Sequence, residues 1–146
     1  MVVDFLDGLV ASYGMNGTAA VTQIDDDVID VEINGEGLGV LIGPGGHTLA
    51  ALGEVSKTAL QRRLGGTAKC RVRVDVAGYR ATRRAALVEF CADVATKVRD
   101  SGQPHAMEPM SSVDRKIVHD ALGELDGVGS TSDGEEPRRR VVVVPG

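Results

Sequence analysis

LIGPGGHTLAAL, residues 41–52, breaks an apolar run with Gly43-Pro44-Gly45-Gly46 and then resumes with the pattern of a new helix. An interior Gly costs a helix about 1 kcal/mol relative to Ala and a Pro about 3, so the insert must end one element before the next begins. Backbone stripped of side chains can approach a sugar-phosphate chain closely. The first N–H groups of the following helix would add donors and a partial positive charge. The stretch therefore predicts a Gly-x-x-Gly loop shaped to receive a polyanion, with His47 just beyond it placed to donate to a phosphate or stack on a base.

Working outward, FLDGLVASYG (5–14) sets Phe5, Leu6, Leu9, Val10 and Tyr13 at helical spacing and ends on a Gly, which predicts a short amphipathic helix. Residues 18–24 and 28–33 are β-branched and are separated by Asp25-Asp26-Asp27, the pattern of a hairpin. EGLGVLI (36–42) predicts a short helix before the loop, and residues 47–63 a longer one with Leu49, Leu52, Ser56, Ala59 and Leu60 on its inner face. KCRVRVDVAG (69–78) alternates Cys70, Val72, Val74 and Val76 with Lys69, Arg71, Arg73 and Asp75, so one strand face is core and the other meets water or ligand.

Residues 79–100 predict the longest helix, with Ala81, Ala85, Val88, Cys91, Ala95 and Val98 as one apolar row and Leu87, Phe90 and Val94 as a second. A domain junction is expected near Gly78-Tyr79. PHAMEPM (104–110) predicts a short strand. Ser111-Ser112 with Asp114 forms a capping sequence for a helix over about 112–125 with Val113, Ile117, Val118, Ala121 and Leu125 inward. VGSTSDGEEPRRRVVVVPG (128–146) predicts two strands joined by an acidic turn. Arg115 and His119, four apart, share the helix face opposite Val113, Ile117 and Val118.

The chain of 146 residues has a formal charge of −5, with the signs segregated. Residues 1–54 hold nine acids and no Lys or Arg, residues 55–99 eleven bases and three acids, and residues 100–146 five bases and nine acids. Exposed charges are screened beyond about 8 Å at physiological salt, so a phosphate chain responds to the local basic face, and net charge does not exclude nucleic acid. Lys57, Arg62, Arg71 and Arg73 are the basic candidates of the first half. The longest apolar runs are too short to span a bilayer, and no Lys or Arg precedes an apolar stretch at the start. A cytoplasmic protein is expected, with no membrane insertion. Cys70 and Cys91 lie outside any Cys-x-x-Cys pattern and read as small apolar residues.

The order helix–strand–strand–helix–Gly-x-x-Gly–helix–strand resembles a type II KH domain, in which the loop clamps about four nucleotides of single-stranded nucleic acid. One departure is that Pro44 and Gly45 occupy loop positions where many such loops carry Lys or Arg. Arg-x-x-x-His at 115–119, downstream of MEPM (107–110) and upstream of STSDGEEPRRRVVVV (130–144), is similar to the single-stranded nucleic-acid-binding domain named for that motif. Both together, with LGVLIGPGGHTLAAL, RVRVDVAGYRATRR, EPMSSVDRKIVH and SDGEEPRRRVVVV, resemble the bacterial Jag (SpoIIIJ-associated, or KhpB) RNA-binding family over nearly the whole chain.

The resemblance implies an α+β fold: a type II KH domain over 1–78, a three-stranded sheet with helices on one face, followed by a small α/β Arg-x-x-x-His domain over 79–146. It implies binding of single-stranded RNA, or single-stranded DNA, and an RNA chaperone or post-transcriptional role linked to cell elongation and division. A small KH-domain protein is an implied partner. Members with an added amino-terminal domain associate with a membrane insertase; neither that domain nor that association is expected here. On this reading Gly43, Pro44, Gly45, Gly46 and His47 form one contact region. Arg115 reaches phosphate, His119 gives a hydrogen bond or stacking surface, and Arg138, Arg139 and Arg140 widen the basic patch. With two Phe, two Tyr and no Trp, stacking platforms are few, so modest affinity, weak sequence preference and clear salt dependence are expected.

Two rival readings compete with this one. Gly37-x-Gly39-x-x-x-Gly43 approaches a dinucleotide-binding pattern, but its spacing is wrong for Gly-x-Gly-x-x-Gly, no second strand with an acidic end follows at the expected distance, and the element order is not expected to build a parallel sheet. No Gly-x-Ser-x-Gly, Walker loop or paired Cys/His spacing appears, so neither an enzyme nor a cofactor is expected. The stronger rival is a protein-interaction adaptor that uses the acidic first third and the apolar face of 79–100 and retains only vestigial nucleic-acid binding.

Overall fold

A computed structural model describes residues 1–66 and 69–146. Among these residues the chain is α+β, with four α-helices and two three-stranded sheets, and divides into compact units Met1–Arg80 and Ala81–Gly146. Among the described residues no helix is long and apolar enough to cross a membrane.

The first unit contains α1 (Val2–Ser12), β1 (Gly17–Ile24), β2 (Val28–Gly35), two 3-10 turns at Gly39–Leu41 and Pro44–Gly46, α2 (His47–Arg63) and β3 (Arg71–Val76). β1 and β2 pair antiparallel from Gly17↔Gly35 to Ile24↔Ile29, with a bulge between Val21 and Gln23. β3 lies parallel to β2, from Val28↔Arg71 to Ile33↔Val76. In β3, Val72, Val74 and Val76 are buried and Arg71 and Arg73 exposed, the alternation the sequence predicts. The core gathers Leu6 and Val10 of α1, Leu49, Leu52 and Leu60 of α2, Val31 and Ile33 of β2, and Leu38 and Leu41 ahead of the loop. α2 packs close on β3 because Gly53 has no side chain: a Cβ there would stand 2.8 Å from the Val72 carbonyl oxygen.

Two expectations in this unit need correction. α1 begins at Val2 and ends before Tyr13, which is 71% exposed and contributes nothing to the core. The helix predicted over 36–42 shrinks to the 3-10 turn Gly39–Leu41, long enough to sink Leu38 and Leu41 and too Gly-rich to propagate. A contact that periodicity does not reveal ties α1 to the sheet: Asp7 reaches across to accept a 2.7 Å hydrogen bond from the Ala19 amide on β1.

The second unit holds most of α3 (Tyr79–Ser101), then β4 (His105–Ala106), α4 (Ser112–Gly123), β5 (Val128–Asp133) and β6 (Arg140–Pro145). The sheet order is β4-β6-β5, all antiparallel, so this unit is α+β rather than the α/β the sequence suggested. Leu87, Cys91, Val94, Ala95 and Val98 of α3 pack with Met107, Val118, Leu122, Val141 and Val143. Val88 and Phe90, expected in the apolar rows of α3, are 47% and 46% exposed. Ser111 caps α4, its hydroxyl accepting from the Asp114 amide at 3.2 Å. The inner face of α4 differs from expectation: Val113 is 60% exposed, whereas Asp114, Arg115, Val118 and Leu122 are buried.

Candidate nucleic-acid interface

In the first unit the glycine loop sits on the N-terminus of α2. Gly43 adopts φ +70°, and a Cβ there would overlap the Thr48 hydroxyl oxygen. Gly46, the residue that caps α2, adopts φ +80°. Both positions demand glycine on conformation, and Gly43 on space as well. Pro44, Gly45 and His47 are exposed, and a Cβ on Gly45 would meet only the His47 ring, at 3.9 Å. The bend is therefore open on its outer side.

The loop's donors are fewer than the sequence suggests. The Thr48 and Leu49 amides both donate to the Ile42 carbonyl, at 3.0 and 3.2 Å, and the Gly46 amide donates to the Gly43 carbonyl at 3.2 Å. The His47 amide donates to Pro44, and Pro44 has no N–H. Among the described residues the Gly45 amide is the loop donor without a partner. The chain thus caps the start of α2 with its own carbonyls, leaving the helix dipole and one amide for an anion.

The basic candidates of this unit do not gather at the loop. Arg62 is exposed in the last turn of α2, roughly 22 Å along the helix from His47 at 1.5 Å per residue. Lys57, half-buried, lies between. Contacts of Gly53 with Val72 and of Gly46 with Tyr79 show that α2 runs against β3, so Arg71 begins the strand at the end remote from the loop. Arg71 is exposed, beside the acidic turn whose Asp27 carbonyl accepts its amide at 2.7 Å. Arg73 makes a two-point ion pair with Asp30, at 2.6 and 2.9 Å. That hydrogen bonding pushes the guanidinium pKa still higher, partial burial opposes it, and the Asp30 and Asp25 charges add to the rise.

In the second unit Arg115 is 8% exposed, not on a solvent face. Its guanidinium donates to the Met110 carbonyl at 2.6 Å and pairs with Glu136 of the β5–β6 turn. These two partners explain how an Arg can occupy an inward position. Next to it, buried Asp114 accepts from Arg83 of α3 at 3.1 Å. His119 has both ring nitrogens engaged, Nδ1 with the Ser130 hydroxyl at 2.6 Å and Nε2 with the Ser132 hydroxyl at 2.8 Å, so only its ring face is left for a ligand. Arg140 pairs with Asp133 at 3.3 Å and Arg139 donates to the Gly134 carbonyl at 2.8 Å. Arg138 is exposed and has no side-chain partner among the described residues. Sequence reasoning missed Glu136, Ser130 and Ser132. Two acids directly before Pro-Arg-Arg-Arg were the available signal for the first; the serines left none.

Residues 85–145 match the family model of the Arg-x-x-x-His (R-three-H) domain. Over 142 residues the chain is 32% identical to an RNA-binding protein KhpB of Clostridium symbiosum, covering 97% of this chain and 63% of that one. It is 36% identical to the protein of that name from Streptococcus pneumoniae over 115 residues, 79% of this chain and 34% of the relative. To the one from Bacillus subtilis it is 33% identical over 130 residues, 87% and 62%. The chain thus spans about a third to just under two thirds of the length of these relatives.

Proposed function

We propose, from the premise that this chain belongs to the R-three-H domain family in its second unit and is a relative of the RNA-binding proteins KhpB along most of its length, that it binds single-stranded RNA. The first unit is read as a type II KH domain, residues 1–78. Its order α1-β1-β2-loop-α2-β3, with an antiparallel pair followed by a parallel strand, supports this. Residues 79–146 are read as the second binding domain. The role is binding rather than catalysis; RNA chaperone activity, post-transcriptional control, a link to cell elongation and division, and pairing with a small KH protein belong to the same proposal.

The observation that carries the reading is the open glycine bend, with the Gly45 amide unpartnered among the described residues and His47 at its rim. Phosphate meets main chain there, base or ribose meets His47, and a single strand runs on toward Lys57, Arg62, Arg71 and Arg73. In the second unit Arg115, the His119 ring face and Arg138, Arg139 and Arg140 supply the contacts. Since Arg73, Arg115 and Arg140 already hold carboxylate partners, affinity is modest and at these three is set by exchange of a protein carboxylate for phosphate.

The test is titration of a labelled single-stranded RNA against wild type, Gly45→Asp, Gly45→Asp with Gly46→Asp, and Arg115→Ala. Asp tolerates the left-handed conformation of Gly45 and its side chain enters open space, so the single variant separates charge from folding. The loop variants weaken binding most, and Arg115→Ala lowers the salt slope by about one. Equal binding by all four proteins, or none by wild type, favours the adaptor reading, which the exposed Val88 and Phe90 of α3 support.

A further inference from the structure

The turn after β3 is strained and heavily pinned. Ala77 has φ +49°, a conformation that residues with a Cβ rarely adopt. Such outliers persist where the surroundings over-determine them, and they cluster at ligand sites. Here the Ala77 amide donates to the Ile33 carbonyl at 3.0 Å, and the Gly78 amide to the Glu32 carboxylate at 3.0 Å. The Asp75 carboxylate accepts from the Val76 and Arg80 amides, at 2.9 and 3.3 Å. Arg80 in turn donates to the Val74 carbonyl at 2.9 Å. All this fixes one residue, Tyr79, against the glycine loop.

A Cβ on Gly46 would stand 3.4 Å from Tyr79 Cε1 and 3.9 Å from its hydroxyl. The ring packs against the first unit's core and is half-buried, and the hydroxyl has no hydrogen-bond partner among the described residues. The loop is short of donors: it carries no Lys or Arg, and α2's first amides are spent on Ile42 and Pro44. We propose that the Tyr79 hydroxyl is a phosphate donor of this site, acting beside the Gly45 amide on the phosphodiester that lies over Gly45-Gly46. This rests on the RNA reading above and adds to it a residue that no motif marks.

The experiment compares wild type, Tyr79→Phe, Tyr13→Phe and Gly45→Asp with a 12-nucleotide single-stranded RNA, at constant salt. Phe keeps the ring packing, so the melting temperature stays at the wild-type value. Loss of one hydrogen bond to a charged oxygen weakens binding about tenfold. Tyr13→Phe, at a tyrosine remote from the core, leaves binding unchanged. On an oligonucleotide with uncharged methylphosphonate linkages the difference between Tyr79→Phe and wild type shrinks to less than about threefold, because the phosphoryl oxygen that remains is a neutral, weaker acceptor. Wild-type affinity in Tyr79→Phe together with a defect in Gly45→Asp overturns the proposal and spares the RNA reading. Absence of RNA binding by wild type overturns both.

Discussion

The Arg115 guanidinium is held by a carboxylate that arrives from 21 residues downstream: Glu136, in the turn between β5 and β6, pairs with it while the Met110 carbonyl takes a second N–H. Glu136 is 60% exposed and Arg115 only 10% at the side chain. The acid therefore sits on the solvent side of the arginine, where an incoming phosphate would sit. On the proposed RNA reading, binding at this arginine would replace one anion by another.

Removing that competitor strengthens binding. In Glu136→Gln the arginine keeps its Met110 partner and loses its anionic one. A partly exposed pair is worth about 0.2–1 kcal/mol, so RNA affinity rises by a factor of roughly 1.4 to 5 at low salt. Fluorescence anisotropy against ionic strength measures it; weaker binding by Glu136→Gln would show that Glu136 shapes the site instead of blocking it.

Arg71 and Arg73 stand two apart on the same strand face and should respond unequally. Arg73 is already neutralised by Asp30 at 2.6 Å, whereas no ion pair is formed by exposed Arg71 among the described residues. Arg71→Ala lowers RNA affinity more than Arg73→Ala, and Asp30→Asn raises it by freeing Arg73. The same titration decides the order.

Two small residues on the inner face of α2 predict opposite effects on stability. Gly53→Ala drives a Cβ into the Val72 carbonyl at 2.8 Å, and overpacking of this kind costs about 1–3 kcal/mol. The Ser56 hydroxyl is buried with no partner among the described residues, so Ser56→Ala removes an unsatisfied group and leaves stability equal or higher by up to about 1 kcal/mol. Denaturant midpoints of the two variants relative to wild type give both signs.

Burial pushes the Cys91 thiol above its ordinary value of 9.0. As pH rises through that value the unfolded chain releases the proton and the native chain retains it, so this contribution is complete below pH 9.0 and lost above it. Between pH 8 and pH 10 the melting temperature of wild type falls more steeply than that of Cys91→Ala. In native protein a thiol reagent modifies half-buried Cys70 first and Cys91 only on unfolding.

The sequence was most legible where one periodicity dominated. β3 alternates cleanly, α2 starts where the glycines end, and Ser111 caps α4. It was least legible where a distant partner decides burial. On α4, Arg115 turns inward and Val113 outward because Met110 and Glu136 supply what a buried guanidinium needs, and helical spacing carries no trace of a residue 21 positions away. The glycine loop was found from its composition, but its amide accounting was not: Ile42 takes two N–H groups that spacing alone assigns to a ligand. Tyr79 was invisible as a candidate because its placement depends on the left-handed Ala77.

β1 forms one border of its sheet. A border strand presents a row of unsatisfied N–H and C=O groups on which another chain can template. Here the Asp7 carboxylate occupies the Ala19 amide and the irregularity between Val21 and Gln23 breaks the repeat a few residues later. The occupied amide and the irregularity shorten the run of border on which another strand could pair, next to exposed Val21 and Ile24; losing Asp7 would free the Ala19 amide for such a partner.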